Sequence, residues 1–319
     1  MNEFIIMLRN VLVFVALAIP GYLLVKIKML KHEQSAVLSK ILMYLALPFL
    51  IFSGTVNNLV FTKQQLLMMA IVIAIGVIYT FVMFFVSKPL VFMEKDAKTA
   101  GIMRFCSVFS NNGFLGIPLC IAIFTRESGV FMVLIFLNVI SNLLMYTLGA
   151  YLVAGDRQSI SVKKVLTNPV LIAFVCGLVF NLLNISAYVP EVMTFSDHFS
   201  ALVTPVSMTI LGMKMATIHL GEMLKTAKLY YVSFLKLVLF PVAIILLLLV
   251  FKDVFDGVDF TSLLFGVFFA FSMPTAGLAT TFADEFKGDT KGAAVFTLGT
   301  TILSIFTIPC MYWLLNSLI

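Results

Sequence analysis

A chain of 319 residues that is 61% apolar and only 11% charged, with a mean hydropathy of +1.11, lies far from the composition of water-soluble domains. That excludes a soluble enzyme or binding module, and long unbroken apolar runs exclude an outer-membrane barrel, which needs short alternating segments. The net charge of +6 is scattered through short loops without a basic block, so it reads as loop topology and no nucleic-acid partner is expected.

Charges, prolines and turn residues divide the chain into ten predicted spans: 4–25, 37–55, 66–88, 98–124, 128–153, 165–186, 198–217, 229–251, 260–285 and 291–317. The fold class expected is therefore an all-α polytopic membrane protein embedded in a lipid bilayer. Near the start, Arg9, an apolar run and Ala16-Leu17-Ala18 imitate a signal peptide. The run continues through Tyr22-Leu23-Leu24-Val25, so the segment is read as an uncleaved first span. The basic residues fall in the odd-numbered loops, apart from Arg9, Lys63, Arg126 and Lys252. By the positive-inside rule those loops face the cytoplasm and both termini face out, in a cell membrane.

Span 2 carries Leu47-Pro48 and span 7 carries Thr204-Pro205, each a place for a kink beside a cavity. Phe49 and Ser207 are the candidate substrate contacts there. Span 4 holds the least helical stretch, Ser110-Asn111-Asn112-Gly113-Phe114-Leu115-Gly116-Ile117-Pro118. Pro118 removes a backbone donor, while Gly113 and Gly116 admit unusual dihedrals and close backbone approach. Asn111 and Asn112 bring donors and acceptors that can hold a carboxylate or cap a second half-helix. In span 5, Asn138 and Asn142 lie four apart on one face, with Ser141 adjacent; they line the cavity beside span 4 or join helices.

Lys236 is the deepest cation, inside span 8, where an anion-pairing role competes with snorkelling of its long stem to the surface. Arg104 reads as a helix-end anchor. Span 9 has its own polar break at Ser272-Met273-Pro274-Thr275-Ala276-Gly277, and span 10 carries Thr297, Thr300, Thr301 and Ser304, for which packing is the expected role. The histidines (His32, His198, His219) and Asp284-Glu285 sit in loops or at span ends, so no carboxylate proton relay is expected. The cysteines Cys106, Cys120, Cys176 and Cys310 lie in apolar runs without metal or disulfide spacing, and neither metal nor cofactor is expected.

An odd number of spans per half forces the second half to enter from the opposite side. The chain thus divides into residues 1–153, a short cytoplasmic linker at 154–164, and an inverted repeat at 165–319. A helix broken in lipid survives only where it is buried in protein or lines a polar cavity. Matching breaks in two inverted halves point to a transporter's binding site, where two half-helix N-termini favour an anion. Substrate-binding candidates are Asn111, Asn112, Gly113, Gly116, Pro118, Ser272, Pro274, Thr275, Asn138, Asn142 and Phe49.

These motifs also resemble the auxin efflux carrier family, which includes bacterial malate and malonate permeases. The matching pieces are Leu45-Ala46-Leu47-Pro48-Phe49-Leu50-Ile51-Phe52, Asn111-Asn112-Gly113-Phe114-Leu115-Gly116-Ile117-Pro118, Met273-Pro274-Thr275-Ala276 and Thr300-Thr301-Ile302-Leu303-Ser304 with Pro309. The resemblance implies a scaffold of spans 1, 2, 6 and 7. It further implies a transport domain of spans 3–5 and 8–10 moving elevator-fashion, often within a homodimer. The expected function is a secondary transporter of small organic anions such as malate or malonate. An exporter of aromatic carboxylates and an anion channel are the alternatives. Neither a GxSxG nor an HExxH motif is present, so an enzyme is not expected, and no P-loop is present to drive a pump.

Overall fold

The computed structural model describes residues 2–126, 128–216 and 220–319; His219 and the end of the seventh predicted span lie outside them. In chain order the helices longer than four residues are α1 (Asn2–Lys26), α2 (His32–Asn58), α3 (Lys63–Leu90), α4 (Ala97–Val108), α5 (Asn112–Ile123), α6 (Gly129–Ala154) and α7 (Arg157–Leu182). They continue as α8 (Glu191–Ser200), α9 (Val203–Met215), α10 (Ala227–Val250), α11 (Phe260–Phe271), α12 (Leu278–Glu285) and α13 (Thr290–Leu318). No strand forms among the described residues, and seven of these helices (α1, α2, α3, α6, α7, α10 and α13) are long and apolar enough to cross a membrane.

The breaks expected in spans 4 and 9 are present. The segments predicted at 98–124 and 260–285 each fold as two short helices, α4 with α5 and α11 with α12, parted by non-helical backbone. The segment predicted at 198–217 divides as well: α8 starts earlier, at Glu191, and turns at residues 201–202 into α9. Its polar residues hid that first helix from a reading based on hydropathy.

Prolines leave a consistent mark on the helices. Wide turns with the π pattern occupy Leu42–Ala46, Asn112–Gly116 and Leu235–Leu239, and each is followed two residues later by Pro48, Pro118 or Pro241. The proline ring displaces the carbonyl four residues back and offers it no N–H. One extra residue in the preceding turn absorbs that conflict without ending the helix. Met145–Gly149 makes the same turn without a proline.

The helices pack in two groups that meet where α1 lies against α13. In one, α1 lies along α9 so closely that a Cβ on Gly212 would collide with the Ala18 carbonyl oxygen, and α7 and α8 pack on α2. In the other, α6 runs between α3 and α11, and α13 gathers α4, α10 and α12. Small residues let helix backbones approach in lipid, where burial of apolar surface supplies little drive between helices. Large apolar side chains such as Val13, Phe85, Leu182, Leu247 and Phe306 remain exposed on the outside, as a protein solvated by lipid tails requires.

Candidate functional site

The two breaks meet. Ser110 and Thr275 form an isolated antiparallel bridge. The Asn111 N–H donates to the Pro274 carbonyl at 2.7 Å, and the Ala276 N–H donates to the Phe109 carbonyl at 3.0 Å. Backbone freed from one broken helix is thus paired with backbone freed from the other, which is how irregular structure is tolerated in a membrane interior.

Side chains complete the crossing. The Ser110 hydroxyl donates to the Phe271 carbonyl at 3.3 Å, and the Thr275 hydroxyl donates to the Cys106 carbonyl at 2.8 Å. Thr300 of α13 accepts the Thr275 N–H at 3.1 Å, so this threonine serves the crossing as well as packing. Ser272 is buried, and its hydroxyl has no partner. Gly116 lets α5 press on α11: a Cβ there would stand 2.7 Å from the Phe269 carbonyl oxygen.

The two neighbouring asparagines differ in role. Asn112 is buried, its Oδ1 accepts from Asn138 Nδ2 at 2.9 Å, and its Nδ2 donates to Ser141 at 3.2 Å. Asn142 extends the chain by donating to the Asn138 carbonyl at 2.9 Å and to Asn138 Oδ1 at 3.3 Å. Asn138 and Ser141 therefore tie α6 to the start of α5, Asn142 supports Asn138 from within α6, and Gly113 is seated against Asn138. Asn111 is half-buried, its backbone accepts from Leu115 and Gly116, and its amide is free of these bonds. Neither asparagine caps α5 with its side chain.

The capping pattern repeats in both halves. The leading helices are capped locally: Asp96 accepts from the Thr99 N–H at 3.1 Å before α4, and Asp259 accepts from the Ser262 N–H at 3.0 Å before α11. The trailing helices α5 and α12 start beside the crossing with no side-chain cap. Their first-turn amides and positive dipole ends are the kind of site that takes an anion.

Lys236, named in the sequence but not grouped with these residues, reaches the crossing from the π turn of α10. It is fully buried and does not snorkel. Its Nζ donates to the Ser110 hydroxyl, to the Phe271 carbonyl at 3.3 Å and to the Val108 carbonyl at 3.5 Å. The available signal was a lysine inside an apolar run just before Pro241. Arg104 ties α4 to α3, donating to the Phe84 carbonyl at 2.7 Å and to Ser87 at 3.1 Å.

Phe49 is not brought to this cluster. It packs on α8, stacked with Phe199 at 5.1 Å and edge-on to Phe195 at 5.5 Å. Pro48 and Pro118 shape their helices, and Ser207 donates to the Thr204 carbonyl at 3.0 Å. A cavity of about 150 Å³ lies beside α5 instead, with walls from Leu115, Leu119, Tyr22, Met208, Thr301 and Ser304.

Long apolar helices around two broken ones that cross at buried polar backbone define a multi-pass helical membrane protein of transporter type. The sequence matches the family described as "Membrane transport protein" over residues 5–312, and the chain belongs to that auxin efflux carrier-like family of membrane transporters. It is 26% identical over 306 residues to an uncharacterised transporter of Methanothermobacter thermautotrophicus, covering 94% of this chain and 96% of that one. An uncharacterised transporter of Methanocaldococcus jannaschii is 25% identical over 211 residues, 65% of this chain and 68% of its own.

Proposed function

We propose that the protein is a secondary transporter of small organic anions, mono- or dicarboxylates of the malate or malonate type. The observation that carries this reading is the pair of uncapped helix starts at α5 and α12, on either side of the Ser110–Thr275 bridge. Two such ends favour a carboxylate, and the free amide of Asn111 stands beside one of them. The proposed layout is an inverted repeat of residues 1–153 and 165–319, with both termini outside the cell. The group holding α1, α2, α7, α8 and α9 serves as the scaffold. The crossing moves with the other group in an elevator motion, and the grouping of the helices supports that division.

The apolar cavity beside α5 favours a second substrate class, a carboxylate with an apolar or aromatic body. Counterflow of labelled malate into proteoliposomes loaded with malate, malonate, lactate or an aromatic acid separates these readings. Saturable exchange that weakens in Asn111→Ala is the expected result. Conductance without exchange would make the protein a channel, and exchange driven only by aromatic acids would select the second class.

A further inference from the structure

Lys236 raises a question that anion transport does not answer. Its ammonium is fully buried, yet the ion pairs formed among the described residues, His32–Glu33, Arg126–Asp197, Lys164–Glu285 and Lys228–Glu94, do not include it. An unpaired charge in a membrane interior is costly and marks a functional position. Nζ donates to three oxygens, two of them carbonyls and one a hydroxyl.

The source of those oxygens is informative. Val108 is the last residue of α4 and Phe271 the last of α11, so both carbonyls belong to the negative ends of the leading half-helices. Ser110 Oγ directs its own proton to the Phe271 carbonyl and so presents a lone pair to Nζ. Three acceptors around one nitrogen suit the three protons of an ammonium. Terminal half-helix carbonyls are also the groups that hold alkali cations in transporters with broken helices. The crossing therefore has a cation-selective pole at the helix C-termini and an anion-selective pole at the uncapped N-termini of α5 and α12.

We propose that Lys236 is a resident tethered cation. Its ammonium fills the carbonyl-lined subsite at the crossing that a free monovalent cation would otherwise occupy, so the protein works without a bound sodium or potassium ion. Removing the side chain converts this place into an alkali-cation site formed by the Val108 and Phe271 carbonyls and the Ser110 hydroxyl. Ser272, the next residue after Phe271, has a buried hydroxyl without a partner that is available to a smaller ion with water.

Cation binding here does not depend on the substrate class, so it is measured without substrate. Purified wild type, Lys236→Ala and Lys236→Met are melted in detergent while sodium, potassium or lithium chloride replaces choline chloride at constant ionic strength. The expected result is a saturable rise of several degrees in the Tm of Lys236→Ala with at least one alkali cation, as linkage requires of a ligand that binds only the folded state. Wild type and Lys236→Met, in which the methionine stem plugs the space without a charge, should not respond. Adding Ser110→Ala to Lys236→Ala should weaken the response.

A folded Lys236→Ala protein indifferent to every alkali cation would overturn the proposal. So would a wild type that sodium or potassium stabilises over choline. Folded Lys236→Ala recovered only in alkali salt would support it. No folded protein in any salt would count against it, because a competent subsite would be filled at high salt. Failure of malate counterflow would leave this melting result intact and would bear on the substrate class alone.

Discussion

Ser110 and Thr275 lie opposite each other in an antiparallel bridge, and each hydroxyl donates to a terminal carbonyl of the half-helix preceding the other residue. The relation is reciprocal: Ser110 follows α4 and serves Phe271 of α11, while Thr275 follows α11 and serves Cys106 of α4. Each broken helix closes the end of the other. Neither end could be left open in a buried setting, because an unmet carbonyl there carries its full desolvation cost.

Thr275→Val should therefore destabilise the protein by about 1–3 kcal/mol, since the methyl group matches the volume but leaves the Cys106 carbonyl unpaired. Thr275→Ser, which keeps the hydroxyl, should recover most of that loss. Thermal unfolding in detergent reads both, and equal stability of the Val and Ser variants would remove the hydroxyl from this role.

The two asparagines should separate binding from stability. Asn111→Ala should lower apparent substrate affinity about tenfold, the worth of one or two hydrogen bonds, with an unchanged Tm. Asn112→Ala should lower the Tm, because Asn138 and Ser141 lose their partner. Asn138→Leu should mimic that stability loss at about 1–2 kcal/mol, for the interhelical bond to Asn112 and the Asn142 bond within α6 that it removes. Substrate titration beside melting curves tests the division, and an Asn111→Ala variant with native affinity would speak against a contact there.

Gly116→Ala should disturb the crossing more than its size suggests. The added methyl would meet backbone, the Phe269 carbonyl oxygen at 2.7 Å, rather than the end of a flexible side chain. The expected outcome is a loss of stability of about 1–3 kcal/mol from overpacking. Gly155→Ala, in a loop with nothing near the added atom but with φ of 78°, should cost about 1 kcal/mol through backbone strain alone.

Acid should weaken one tie outside the spans. The hydrogen bond from Lys228 at the start of α10 holds the Glu94 carboxyl, in the loop after α3, below its ordinary value. A carboxyl with a lowered folded pKa adds stability that is fully present above its unfolded value, here pH 4.5, and is lost as pH falls through the lowered one. The pair is near the surface and contributes no more than about 1 kcal/mol. Glu94→Gln should flatten this small acid dependence of the Tm, and an unchanged pH profile would show that the pair does not contribute.

Local chemistry was enough to place much of the fold. Long apolar runs marked the seven long helices, because a spanning segment must be apolar along its whole length. Prolines, glycines and asparagines marked the breaks at residues 109–111 and 272–277, because helix interruption is written in the residues that interrupt. Helix α8 escaped notice because Glu191, Asp197 and His198 break the hydropathy signal.

Residue chemistry alone places the chain in a membrane, marks its seven long helices and shows that the segments at 98–124 and 260–285 must break. Tertiary structure decided what those breaks face. Asn111 and Asn112 are adjacent and chemically identical, yet only the position of α6 ties the Asn112 amide and leaves that of Asn111 free. Lys236 reaches Ser110 across 126 residues of sequence, a separation over which no periodicity or spacing carries information. Helix existence follows from each segment's own solvation, whereas the meeting of two polar groups follows from how separate helices pack.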